Sequence, residues 1–274
     1  MIVRLALLMV FALASSLPWR RRRSACRRMS LFEIALRHDS VILSDLTHDA
    51  LPVLAAFGMI CNMRDLLDPD RFIVRADAHI LDIEPKISRI LELPISLNLA
   101  QVHEVLQAAF GWTDSHLHQF NIGGLVYGAP EFDEDGWSDN RTFEATDVRL
   151  SDFQFPYDPE SSPLTILYEY DFGDNWRHMI CSERVAGDKA VKYPRCIAAT
   201  RSGPPEDVGG PSGYASFLEA WHDTHHEDHK AMRRWVGSKF QPETCNLDAI
   251  NKTITKALRA SKGGYRFRAE DHHV

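Results

Sequence analysis

Three side chains in the stretch from Tyr168 to His178 could do chemistry together: Asp171, Asp174 and His178. Two carboxylates and an imidazole can ligate a hard or borderline divalent ion, or divide acid and base work between them. Glu206 and Asp207 lie in Pro204-Pro205-Glu206-Asp207-Val208-Gly209-Gly210-Pro211. They would add two carboxylates if that loop folds over the first group. The five residues would then suit a metal-dependent hydrolase or nuclease. The plain alternative is structural. Acidic turn residues commonly bond backbone N–H groups, and a buried histidine usually has an ordinary partner. On that reading the Pro/Gly loop caps one end of a sheet and starts a helix at Tyr214, its glycines allowing positive φ or close backbone approach.

The histidines offer two further groups. His116 and His118 are two apart and would share one face of a strand, a spacing that suits a pair of metal ligands. No third ligand is identifiable beside them. His222, His225, His226 and His229 stand at i, i+3, i+4 and i+7. On a continuous helix they would share a face and could hold zinc or nickel; otherwise they belong to a solvated connection. A divalent metal is the one cofactor class these residues admit, and no other is identified. Nucleophilic catalysis has no support, because no Gly-x-Ser-x-Gly elbow is present and no cysteine stands by an obvious base. Asp171-Phe172-Gly173 lacks the glycine-rich and His-Arg-Asp loops a kinase would need.

The elements that would position these groups are mostly legible. Leu164, Ile166, Tyr168, Tyr170 and Phe172 alternate with more polar residues, as do Trp176, His178 and Ile180, so a hairpin is expected. A three-residue loop would set Asp171 opposite Arg177 and Tyr170 opposite His178. A four-residue loop would set Asp171 opposite His178. The first is favoured, since it joins Trp176 and Ile180 to the apolar face. Asn98 with Gln101 forms a capping box and Gly111 a stop, predicting a helix over 99–110. Residues 117–122 read as a strand, Gly123-Gly124 as a turn and 125–127 as the returning arm. Residues 78–93 read as two short strands or one bent strand, and 29–75 as helical or irregular. Residues 129–163 read as a long surface excursion and 194–213 as a loop. Helical segments are expected at about 213–222, 225–236 and 247–259, the last capped by Asn246, with 261–274 fraying.

The 274 residues, 45% hydrophobic, suffice for one large core. The five cysteines are scattered, without a Cys-x-x-Cys pair, which suits a reducing cytoplasmic setting. Residues 1–28 hold seven of the 31 Lys+Arg and no acid; residues 29–274 keep 24 against 38 Asp+Glu, a net of −14. Such a body repels phosphate backbones, so nucleic acid is not expected as a ligand of 29–274, and a protein partner is. The leader is an apolar run followed by arginines. It reads as in-frame upstream sequence before Met29, as a weak membrane anchor if retained, or as a cleaved signal.

Leu99 to Trp112, His116 to Phe120, Tyr168 to His178, Pro204 to Pro211 with Gly213-Tyr214, and the closing helix after Phe240 occur in collinear order. Together they resemble the plasmid Ri ORF-three-like family, over about Asp77 to Leu258. Where that family carries a Trp-Arg-like segment after its first strand, this chain has Glu84-Pro85-Lys86-Ile87-Ser88-Arg89. The resemblance implies an α+β domain over 77–260, an antiparallel sheet packed by helices, with 29–76 as an N-terminal helical or irregular extension outside the match. It also implies an association with mobile elements and, by a label some members carry, a DNA-recombining resolvase.

Overall fold

The computed structural model describes residues 72–130, 141–153 and 163–260. The expectations for the leader, for residues 29–71 and for the tail at 261–274 lie outside the described residues. Eight strands form one sheet: β1 (Phe72–Ile80), β2 (Ser88–Pro94), β3 (His118–Ile122), β4 (Leu125–Gly128), β5 (Thr142–Glu144), β6 (Leu164–Tyr170), β7 (Trp176–Ala186) and β8 (Arg195–Thr200). Their order is β5-β4-β3-β6-β7-β1-β2-β8, antiparallel except for the parallel β4–β5 pair. Among the described residues five helices accompany them: α1 (Leu99–Phe110), α2 (Leu150–Phe153), α3 (Gly210–His222), α4 (His229–Val236) and α5 (Leu247–Ala260). The fold is α+β, as expected. Among the described residues no helix is long and apolar enough to cross a membrane.

Local chemistry explains the best-defined elements. Asn98 accepts from the Gln101 N–H at 2.8 Å, while the Gln101 side chain accepts from the Asn98 N–H at 3.1 Å, the reciprocal cap of α1. Gly111 ends the helix at φ 90°. In α1 almost every residue is buried, because one side lies on the sheet and the other is covered by α5. Gly123 and Gly124 close β3 onto β4 with φ 60° and 83°, the two positive values a tight hairpin of matching twist demands. In α5 the Asn246 side chain accepts from the Ala249 N–H at 3.0 Å, and Ile254 is fully buried.

Four expectations need correction. Strand β1 begins at Phe72, inside the stretch read as helical or irregular, since Val74, Ala76 and Ala78 alternate inward beyond the first isoleucine noticed. The excursion at 129–163 contains β5 and α2. Its backbone is tied to α1, with Leu99 N–H donating to Ala145 O and Val148 O. The loop at 194–213 begins with β8, an edge strand whose partner β2 is about a hundred residues away, and α3 starts at Gly210. The second helical segment starts at His229 rather than 225.

The signature hairpin also has a longer bend than either loop expected. Tyr170 faces Trp176, Glu169 faces Arg177 and Tyr168 faces His178, leaving Asp171 to Asn175 as the loop. Asp171 leaves the ladder because its Oδ1 accepts from the N–H groups of Gly173 (2.9 Å) and Asp174 (3.1 Å), with its own backbone at φ 57°. The parity of the faces is unchanged, so Trp176 and Ile180 do line the core with Tyr168 and Tyr170.

Candidate functional site

The five residues singled out around the hairpin divide between interior and surface. His178 is fully buried, with Phe110, Trp112 and Tyr168 rings around it and its Nδ1 3.1 Å from the Trp176 carbonyl oxygen. Burial pushes its pKa down to about 4, so it is a neutral core imidazole at pH 7. It takes no part in a cluster with Asp171 and Asp174, because its position opposite Tyr168 turns it to the core face. Asp174 lies apart too, its Oδ2 accepting from the Gly209 N–H at 3.0 Å. That bond seats the Pro/Gly loop on the hairpin bend. Gly210 follows at φ 67°, where an added Cβ would stand 2.4 Å from the Asp174 carbonyl oxygen.

The loop therefore does fold over the bend, and two of its acids meet partners from β3's approach. His116 Nε2 is 2.9 Å from Asp207 Oδ1 and 3.6 Å from Asp171 Oδ2. Donor atoms of these three residues all lie within 4.8 Å of one another. Asp171 is nearly buried, His116 about a third exposed and Asp207 71% exposed, so the trio opens to water on one side. Glu206 is committed elsewhere. Its Oε1 accepts from Thr113 N–H (2.6 Å), Thr113 Oγ1 (2.9 Å) and Tyr170 OH (3.0 Å). Burial and the Glu206 charge raise the Tyr170 pKa, holding the phenol protonated as a donor.

His118 sits in a second group that the sequence did not reveal. Its ring stacks on His103 with centroids 3.5 Å apart. His103 places Nε2 2.8 Å from Asp114 Oδ1 and Nδ1 2.8 Å from Tyr168 OH, which also accepts from Gln107 Nε2 at 2.9 Å. His103, Asp114 and His118 also present ligand atoms within 4.8 Å. Burial, then the neighbouring His103, holds His118 well below the usual histidine range. His116 and His118 thus serve separate groups rather than one. The signal for His103 and Gln107 was available: both stand four-residue steps from Leu99, on the face α1 turns to the sheet.

The four later histidines do not share a helical face, because α3 ends at His222 and α4 begins at His229. His222 is 3.7 Å from Glu243 Oε1, and His225 lies 3.5 Å from Asp223 Oδ1. His226 Nδ1 accepts from the Asp228 N–H, and His229 Nδ1 lies 2.9 Å from the Ala220 carbonyl oxygen. A turn at Asp223 separates them, so their i, i+3, i+4, i+7 spacing builds no common site.

Beside Glu206 and Asp207 opens a cleft of about 610 Å³, between the C-terminal turn of α1, the 202–207 loop, α4 and α5. Phe110, Trp235, Val236, Phe240 and Ile250 supply its apolar walls, and Arg89 and Cys245 also line it. Gly203 brings the loop hard against α1, where a Cβ would stand 1.9 Å from the Phe110 carbonyl oxygen.

Comparison with known proteins places this arrangement. An uncharacterised protein of Sinorhizobium fredii, y4hQ, is 37% identical over 183 residues, covering 66% of this chain and 90% of that protein. The crystal structure of a protein of unknown function, MM3350 from Methanosarcina mazei Go1, superimposes with a TM-score of 0.56 at 30% identity, covering 65% of this chain and 97% of that one. Residues 73–249, from the first strand into the last helix, match the family described as plasmid pRiA4b ORF-3-like protein, and the chain belongs to that family.

Proposed function

We propose that the domain is a binding or accessory module whose ligand, a segment of a protein partner, lies in the cleft between α1, the 202–207 loop, α4 and α5. The cleft carries this reading. Its volume of about 610 Å³ falls in the range of ordinary ligand sites, with apolar walls beside a polar side that includes Arg89, Glu206, Asp207 and Asn246. Helix α4 has no buried residue, and Trp235 is 48% exposed on it. The acidic balance of 29–274 favours a protein over nucleic acid. A cytoplasmic setting and an association with mobile elements go with this reading, on cysteine usage and family resemblance. The test is chemical-shift mapping on isotope-labelled protein with pooled acetylated tetrapeptides at about 1 mM, the weak limit of specific recognition. Shifts concentrated at the Trp235 indole N–H and at Phe240 and Ile250 are expected; shifts elsewhere, or none, would end the reading.

A second reading, metal-dependent hydrolysis, is favoured by one observation, the meeting of His116, Asp171 and Asp207 at a half-open spot. His116 Nε2, Asp171 Oδ2 and Asp207 Oδ1 would hold a borderline divalent ion, which would acidify bound water. Metal analysis of untagged protein decides it. An equivalent of bound ion supports it, and less than about a tenth of an equivalent rejects it, since a built site binds tightly.

A further inference from the structure

We propose that the segment bound in this cleft presents a carboxylate to Arg89. The inference rests on the cleft reading above and specifies the chemistry of its ligand.

Arg89 is 1% exposed and stands on the inward face of β2, where positions 87, 91 and 93 are isoleucine and leucine. Its guanidinium is partly used in holding the fold. Nε donates to the Ala109 carbonyl at 2.7 Å, and Nη1 donates to the carbonyls of Ser88 (2.7 Å) and Thr200 (2.9 Å). Nη2 carries no hydrogen bond among the described residues. The Phe110 ring lies 4.9 Å from the guanidinium carbon, and Arg89 lines the cleft.

The other deeply placed ion pairs show what is missing. Arg201, 8% exposed, is gripped by both oxygens of Glu243, at 3.0 and 2.9 Å. Glu92, 4% exposed, is held by Arg75 at 3.0 Å and by Arg195 at 2.8 Å. Arg89 has no carboxylate partner among the described residues. Its ionisable neighbours are the thiols of Cys196 and Cys245 and the buried, neutral imidazole of His178, and burial holds Cys196 up at about 11, so that thiol is neutral. A buried charge is ordinarily matched by an opposite one. Carbonyl dipoles at the end of α1 offset part of the charge but leave it net positive. Of the cleft's own acids, Asp207 is held by His116, and Glu206 is held by Tyr170 and Thr113 through Oε1 alone, its buried Oε2 being without a hydrogen bond among the described residues. An entering carboxylate would complete a charge-assisted bond to the remaining N–H₂, with its apolar neighbours against Phe110, Trp235 and Phe240.

Three matched tetrapeptide pools test this on the intact protein at low salt: free-acid ends, amide ends, and amide ends with one internal glutamate. The readout is the Arg89 Nε–H resonance together with the cleft signals, in wild type, so no variant need fold. Free-acid peptides that move both, with at least tenfold weaker binding of plain amides, support the inference. Movement by the glutamate pool alone also supports it and assigns the carboxylate to a side chain. Equal binding of all three pools in the cleft, with the Arg89 signal unmoved, overturns it and leaves the cleft reading standing. No cleft shift from any pool overturns both.

Discussion

The interior group around Tyr168 and the surface group around His116 use the same residue types to opposite ends. In the interior, His103, Gln107, Tyr168 and Asp114 form a closed chain, and the Asp114 N–H returns to Gln107 Oε1 at 2.8 Å. The two bonds to the Tyr168 hydroxyl are fully shielded and those to Asp114 partly so, which makes the Tyr168 bonds strong and expensive to break. At the rim, His116, Asp171 and Asp207 fasten loops rather than core strands, and water competes for each bond. Burial, not residue identity, separates a group that holds the fold from one able to exchange partners.

Mutation should break that contrast most sharply at its buried end. Tyr168→Ala removes a fully buried ring against Phe120 and His178 and should destabilise by about 3–5 kcal/mol, read by urea unfolding. Acid should act next. His178 has its folded pKa lowered to about 4 against an unfolded value near 6.5, so the unfolded state takes up the proton first. Stability is complete above pH 6.5 and falls as pH drops toward 4, by on the order of 3 kcal/mol. His178→Gln should flatten that slope by up to one proton, and an unchanged slope would place the titration elsewhere. Tyr168→Phe, which keeps the ring but strands Gln107 and His103, should lose about 1–3 kcal/mol. At the rim, His116→Ala should lose less than about 1 kcal/mol, with its effect in faster amide exchange at Gly209 and Thr113 rather than in the melting temperature. A loss as large as that of Tyr168→Phe would erase the distinction.

What the sequence revealed follows the reach of each interaction. The α1 caps, the Gly123-Gly124 turn and the Asn246 cap are made by residues within four positions of one another, and all were legible. So was the inward alternation of the hairpin. Its bend was not, because Asp171 leaves the ladder through bonds from its own side chain, which compete with strand pairing at similar strength. Strand β8 was hidden because nothing within it demands a strand; β2 supplies the pairing. Of the carboxylates at 206 and 207, only Asp207 meets a histidine, and it is His116 rather than His178, while Glu206 bonds Thr113 and Tyr170. Two histidines facing a tyrosine and a water-exposed rim look alike in a string of letters. Arg89 could have been flagged, as a cation in phase with Ile87, Leu91 and Leu93.

Strand β1 occupies a central place in the sheet, between β2 and β7. Its hairpin partner follows at once, but the other neighbour pairs Phe72 with Ala186. During synthesis, then, the first ribbon of the described sheet waits with the β1 edge bare until the chain has been made through Ala186, and with the β2 edge bare until β8 follows. Chains cut short before β7 would keep that edge sticky, and nascent molecules would be open to chaperone capture or mutual adhesion over that interval.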